Sequence, residues 1–238
     1  FGLTNMPWLP LIFIYGLIGY RIGGFKLSLT IIASFMFITF TGVLPQALLS
    51  IYLCGIAVII SFIVGASLGI WAAHNDKVSA FMRPINDTMQ TMPSFVILIP
   101  FVMFFGIGEF TALLAIIAYA FVPAMRYTEH GLRNLPETVI EAARMIGCSQ
   151  TQLLWKVKIP LAMPVIMLGL NQTIMFGLAM LVIAALVGTT GLGQLIYIGL
   201  SKADFGTGMI SGVSIALIAI IFDRTTQAWR IKLEKKTQ

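Results

Sequence analysis

Apolar residues run in long blocks along this chain, and polar residues gather in the gaps between them. Seven blocks read as membrane helices, at roughly 7–20, 27–44, 50–72, 92–107, 111–126, 160–187 and 208–229. The first is short enough to be an interfacial or tilted helix. The sixth, if helical throughout, is about 42 Å long at 1.5 Å per residue, against a hydrocarbon core of roughly 30 Å. It therefore tilts, bends near Gly169 or Gly177, or emerges into the cytoplasm. The pattern predicts an all-α polytopic membrane protein of about seven transmembrane helices, with residues 1–238 forming one membrane domain. The half-apolar stretch from Leu195 to Gly206 is too short and polar to cross, and reads as an outer surface or re-entrant helix.

Composition sharpens this picture. The chain is 58% hydrophobic and 10% charged, where soluble domains carry about 25% charged residues. It begins at Phe1, so a longer natural N-terminus is expected. The first apolar run, starting at Met6-Pro7, lacks the basic flank and small-residue cleavage site of a signal peptide. The net charge of +6 is explained by distribution. With the loop at 127–159 placed inside and the spans alternated outwards, Lys202 alone of the 15 Lys and Arg residues falls outside. That asymmetry predicts the N-terminus out and the C-terminus in, and it makes nucleic acid needless as a partner. The inner loop at 73–91 is weakly amphipathic, interrupted at Arg83-Pro84, and expected to lie along the inner membrane surface. Glu109 reads as a solvated charge in an outer turn.

One polar island stands apart: Glu137 to Pro160. Asn134 and Glu137 have capping-box spacing, with Pro136 at an early helical position. Leu135, Val139, Ile140, Ala143 and Ile146 recur at helical spacing. Gly147 sits where a left-handed helix end favours glycine. Ser149 and Gln152 form a second capping box; Leu153, Leu154 and Val157 share a face, and Pro160 closes the second helix. The reading is helix, glycine bend, helix, between two membrane segments. A DNA-binding helix-turn-helix has the same outline, but not tethered between two spans.

These residues resemble a known family. Glu141-Ala142-Ala143, three residues, Gly147, nine residues and then Val157-Lys158-Ile159-Pro160 is similar to the EAA loop of ABC importer permeases, E-A-A-x3-G-x9-I-x-L-P. Val157 and Ile159 replace other bulky aliphatic residues. The resemblance implies a type I ABC importer permease fold, with coupling helices at 137–159. Glu141, Ala142, Ala143, Gly147 and Pro160 would then form the surface that docks into a groove on a cytoplasmic ATPase.

The absences agree. The chain has no Walker A motif, and Gly188 to Gln194 is Gly-rich without the Lys-Ser/Thr pair of a P-loop. No His, Asp, Glu or Cys cluster has metal-ligand spacing, and no nucleophile–base pair suggests a hydrolase. No confidently assigned span centre carries a charge, which disfavours a proton-coupled transporter. Asn171-Gln172-Thr173 are polar residues inside the sixth span. They either line a solute path or hydrogen-bond neighbouring helices. Gly19/Gly23, Gly65/Gly69 and Gly208/Gly212 have the spacing that lets helix backbones approach closely.

Further runs resemble the glycine betaine/proline branch of these permeases: Asp87 to Pro93, Gly106-Ile107-Gly108, Leu161 to Pro164, Asn171 to Thr173, Gly191 to Gln194, and Asp223-Arg224 with Thr226-Gln227. The branch implies a multi-pass subunit of the bacterial inner membrane. It would import glycine betaine, proline betaine, proline or a related quaternary amine. Its implied partners are a second permease copy, an ATP-binding cassette subunit and an external substrate-binding protein. No cofactor is expected in this chain, since ATP and magnesium would bind the partner ATPase, and the chain itself is not expected to be an enzyme. Choline, carnitine and trimethylamine N-oxide are alternative cargoes. A stand-alone secondary transporter is the competing class, but it has no use for an EAA loop.

Overall fold

The computed structural model describes residues 8–237, and among these every regular element is helical. Met6-Pro7 and Gln238 lie outside the described residues. By length and apolarity five helices can cross a membrane, or six when one sharply bent pair counts as a broken span. The difference from seven has two physical sources, one at each of the short apolar blocks.

The first is α1 (Trp8–Phe40), which breaks at Gly24, where φ is +76°. Its two arms fold back on one another. Ser28 Oγ donates to the Gly16 carbonyl at 2.9 Å, and the Tyr15 and Phe35 rings stack at 5.1 Å. In a straight helix residues 16 and 28 would stand about 18 Å apart. Gly19 and Gly23 make the close return possible: a Cβ at Gly19 would lie 2.5 Å from Ile31 Cδ1, and one at Gly23 2.6 Å from Leu27 Cδ2. The two predicted spans at 7–20 and 27–44 are therefore the arms of one helical hairpin. Each arm is about 24 Å long, short of the roughly 30 Å apolar core.

The second source is the block at 92–107. It forms a short helix, α4 (Ser94–Phe105), bent by 102° from the amphipathic α3 (Asp76–Thr91) at Met92-Pro93. Pro84 does not interrupt α3, which runs through it unbroken. Proline removes one ladder hydrogen bond, but here both Pro84 and Ala80 are exposed, so water reaches the carbonyl left free.

Three long helices form the centre: α2 (Leu44–His74), α5 (Glu109–Arg133) and α8 (Ile159–Ala184). The Gly65/Gly69 pair lets α2 lie directly on α5. A Cβ at Gly69 would stand 2.6 Å from the Met125 carbonyl, and Gly65 approaches the Phe121 carbonyl at least as closely. Gly169 meets the Tyr127 side chain from α8, and Gly177 meets Val58. The core fills with Cys54, Ala57, Ala112, Ile116, Leu178 and Leu181, all buried. The short α9 (Leu192–Ser201) is tied to α2 by Leu192 N–H donating to Ser50 Oγ at 2.9 Å. It packs Gly199 against Gly208 at the start of α10 (Phe205–Thr237). Gly212, by contrast, faces open space.

The two ends of this bundle differ chemically. At one end Lys232 Nζ donates to the Arg21 carbonyl at 3.3 Å, and Arg133 pairs with Asp76 at 2.8 Å. At the other, Thr190 Oγ1 donates to Glu109 Oε1 at 2.5 Å, and Gly188 meets Ile107. Glu109 thus opens α5 with a hydrogen-bonded partner, although it stays exposed.

Candidate coupling site and its neighbours

The polar island hangs from the basic end of the bundle. Asn134 caps the C-terminus of α5, with Nδ2 donating to the His130 carbonyl at 2.9 Å. It does not box with Glu137. The next helix, α6 (Glu137–Met145), starts three residues after Asn134, with Pro136 at its N-cap. A residue before proline is pushed out of the helical region, so Leu135 cannot open a helix and the predicted register shifts.

At its far end α6 closes as the glycine predicted. Gly147 has φ +85°. Its N–H donates to the Arg144 carbonyl at 2.9 Å, and Cys148 N–H to the Ala143 carbonyl at 3.2 Å. This is the Schellman pattern, which satisfies carbonyls that the helix end would otherwise leave free. The next turn, α7 (Gln150–Gln152), opens with the predicted Ser149–Gln152 box, both of its hydrogen bonds formed.

Pro160 does not end this second helix. α7 passes through a wider turn at Leu153–Lys158 and continues into α8, so helix runs from Gln150 to Val187. In the wide turn Ile159 N–H reaches back five residues to the Leu154 carbonyl. That register sits directly before Pro160, where an ordinary turn would need the N–H that proline lacks. The consequence is mechanical: the second helix of the polar island and the spanning helix α8 form one continuous helix of 38 residues.

The surface of the hairpin is unusual. Ala143 and Leu153 are buried against the rest of the chain, while Glu141 and Ala142 are exposed. Glu141 makes no ion pair among the described residues. Around the bend Met145 is 89% exposed, Ile146 83% and Trp155 62%. Large apolar side chains this exposed on a polar stretch are the kind of patch found at interaction surfaces.

A cluster that the sequence did not reveal ties the hairpin's root to the bundle. Arg133, the last residue of α5, donates to Glu129 at 3.0 Å, Asp76 at 2.8 Å and the Ala72 carbonyl at 2.7 Å. Ser79 donates to the same Glu129 carboxylate at 2.5 Å. Glu129 and Arg133 stand four apart on one helix, which was legible; Asp76, Ser79 and Ala72 come from elsewhere and were not. More than two turns further along α3, Arg126 pairs with Asp87 and Gln90.

The polar residues of α8 divide. Asn171 Nδ2 donates to Asp223 Oδ1 at 2.9 Å, and Thr226 Oγ1 donates to Asn171 Oδ1 at 2.5 Å. Gln227 closes the network on Asp223 at 2.8 Å. Asn171 therefore spends both functions of its amide on α10. Thr173, fully buried, donates to the Gly169 carbonyl of its own helix at 2.9 Å. Gln172 is half-buried. Within the triplet Asn171 bonds the neighbouring helix α10, while Thr173 bonds only its own helix. No group of three His, Cys, Asp or Glu able to hold a metal occurs among the described residues.

Known proteins resemble this chain in sequence and in fold. Residues 65–229 match the family described as binding-protein-dependent transport system inner membrane component. The glycine betaine/proline betaine transport system permease protein ProW of Escherichia coli (strain K12) is 40% identical over 226 residues. That match covers 95% of this chain and 64% of the relative's length. The glycine betaine transport system permease protein OpuAB of Bacillus subtilis (strain 168) is 38% identical over 237 residues, covering 100% of this chain and 83% of the relative. Among solved structures, an inward-facing MetNI methionine ABC transporter superposes with TM-score 0.70 at 18% identity, covering 80% of this chain and 95% of that one. The match over 65–229, which takes in the end of α2, the Gly147 bend and the whole of α5 and α8, places this chain in the family of binding-protein-dependent transport inner-membrane components.

Proposed function

We propose that this chain is the membrane-spanning subunit of an ABC importer that carries a small zwitterion into the cytoplasm. Glycine betaine, proline betaine or a related quaternary amine is the cargo class, supported by the names of the two relatives above. ATP hydrolysis takes place in a partner subunit, and an external binding protein delivers the cargo. Two copies of the permease form the path, and residues 1–238 act as one membrane domain. The observation that carries the coupling role is the apolar surface of Met145, Ile146 and Trp155 held outside the bundle by the Gly147 bend. Glu141, Ala142, Ala143 and Pro160 belong to the same hairpin, and a partner that pushes on it moves α8 as a rod. Gln172 is the residue of the Asn171–Thr173 triplet whose side chain remains available to a solute.

The basic end of the bundle is the cytoplasmic one, since Lys and Arg gather on that side. The N-terminus is then outside and the C-terminus inside. The deciding experiment is reconstitution of the permease with its ATPase in liposomes, with the binding protein supplied outside. ATP-dependent accumulation of labelled glycine betaine is expected. Retained uptake after deletion of 138–156 would refute the coupling role, and uptake without any ATPase would refute the importer class.

A further inference from the structure

The cleft between α3 and α5 opens at the basic end of the bundle and has a volume of about 670 Å³. Its wall carries opposite charges side by side. Asp87 and Gln90 come from α3, and Arg126 from α5, where it pairs with both. Tyr127 adds a half-buried aromatic ring to the same wall. Asn86 lines it too: the side chain is 2% exposed, its Nδ2 donates to Met125 Sδ at 3.4 Å, and its Oδ1 has no partner. An ion pair facing solvent contributes little to stability, and a buried unsatisfied amide oxygen costs free energy. Neither is accounted for by packing alone.

The exposed ion pair fits a zwitterion. A carboxylate matches the fork of a guanidinium, with the Gln90 amide beside it. A methylated ammonium cannot donate a hydrogen bond, so it needs negative charge and an aromatic face instead. Asp87 supplies the charge and Tyr127 the ring. We infer that this cleft is a binding site for the zwitterionic cargo on its way out, with Arg126 taking the carboxylate and Asp87 with Tyr127 taking the quaternary ammonium. The ligand inserts into the Arg126–Asp87 pair and replaces each partner by one of its own charges. This rests on the proposed function above, both for the cargo class and for the cytoplasmic side.

The test uses the assembled permease–ATPase complex in nanodiscs. Arg83, exposed at the rim of the cleft, becomes the reporter as Arg83→Cys in a Cys148→Ser background; the remaining Cys54 is buried. Maleimide labelling of that cysteine is followed with millimolar glycine betaine, tetramethylammonium or acetate. Glycine betaine is expected to slow labelling, and neither half-molecule to do so alone. In vesicles, Arg126→Gln is expected to lower betaine uptake by at least about tenfold, the scale of one charge-assisted hydrogen bond. The charge swap Asp87→Arg with Arg126→Asp keeps an ion pair but reverses its polarity, and ATPase activity monitors its assembly. An assembled swap that still fails to transport supports the site. A swap that restores uptake makes the pair purely structural and overturns it, as does equal labelling with and without glycine betaine; if the swap does not assemble, the labelling decides. Wild-type complex that transports betaine but shows no protection refutes the site alone. Wild-type complex that hydrolyses ATP without moving betaine refutes the cargo reading instead.

Discussion

The bend at Gly147 isolates one physical cause unusually well. A Cβ added there meets nothing within 4 Å, so the residue is not glycine for want of space. Its φ of +85° is the whole constraint. A side chain in the left-handed region costs roughly 1–2 kcal/mol, which shifts a two-state equilibrium about 5- to 30-fold. Gly147→Ala should therefore lower the population of the docking-competent hairpin by that factor while the protein still inserts and purifies. Asparagine tolerates this region better, so Gly147→Asn should fall between alanine and wild type. Gly147→Asp adds to the same strain a charge that ATPase docking would cover, and it should abolish uptake. The assay is pull-down of the ATPase by the tagged permease, titrated to give an apparent affinity, followed by ATP-driven uptake in the same preparation. Full affinity for the ATPase in Gly147→Ala, or equal loss in the alanine and asparagine variants, would refute the reasoning. The first outcome would mean that the bend is not the docking geometry, and the second that backbone strain is not its cause.

Other outcomes follow from neighbouring features. Gly69→Val should separate α2 from α5, because even a Cβ stands 2.6 Å from a backbone carbonyl; overpacking costs about 1–3 kcal/mol, read as a lowered melting temperature in detergent, and an unchanged melting temperature would count against the close packing. Arg133→Lys keeps the charge but cannot reach Glu129, Asp76 and the Ala72 carbonyl together. It should raise the ATP hydrolysed per solute transported, and an unchanged ratio would reduce the cluster to a surface feature. Asn171→Ala leaves Asp223 and Thr226 without a partner on α8, so it should destabilise the α8–α10 contact by about 1–3 kcal/mol while leaving the rank order of cargoes unchanged; competition uptake checks the second part. Asp204 accepts from Thr207 Oγ1 at 2.7 Å and from its N–H at 3.2 Å, and these bonds hold its carboxyl below the ordinary carboxylate range. A depressed folded-state pKa means the stabilisation is present above the ordinary value and lost as pH falls through the depressed one. Melting of the wild type should therefore be more acid-sensitive than that of Asp204→Asn in that window.

Several features were legible without coordinates because their causes are local. Apolar block length decides that α2, α5, α8 and α10 are long enough to span. The Ser149–Gln152 box and the Gly147 bend each depend on a few consecutive residues, and both form as their spacing predicts. Lys and Arg placement separates one end of the bundle from the other. Tertiary structure decided what hydropathy cannot carry. Two short apolar blocks became one hairpin because Gly16, Gly19 and Gly23 let a second arm return at Gly24, a pairing that depends on shape across the fold-back. Pro160 failed to stop its helix because a wide turn changed the hydrogen-bond register just before it. The partners of Asn171, Asp223 and Thr226, lie more than fifty residues later and are brought against it only by the fold. Arg126 and Asp87 were two unrelated charges in sequence; only the bend between α3 and α4 lays α3 along α5 and turns them into the two poles of one cleft.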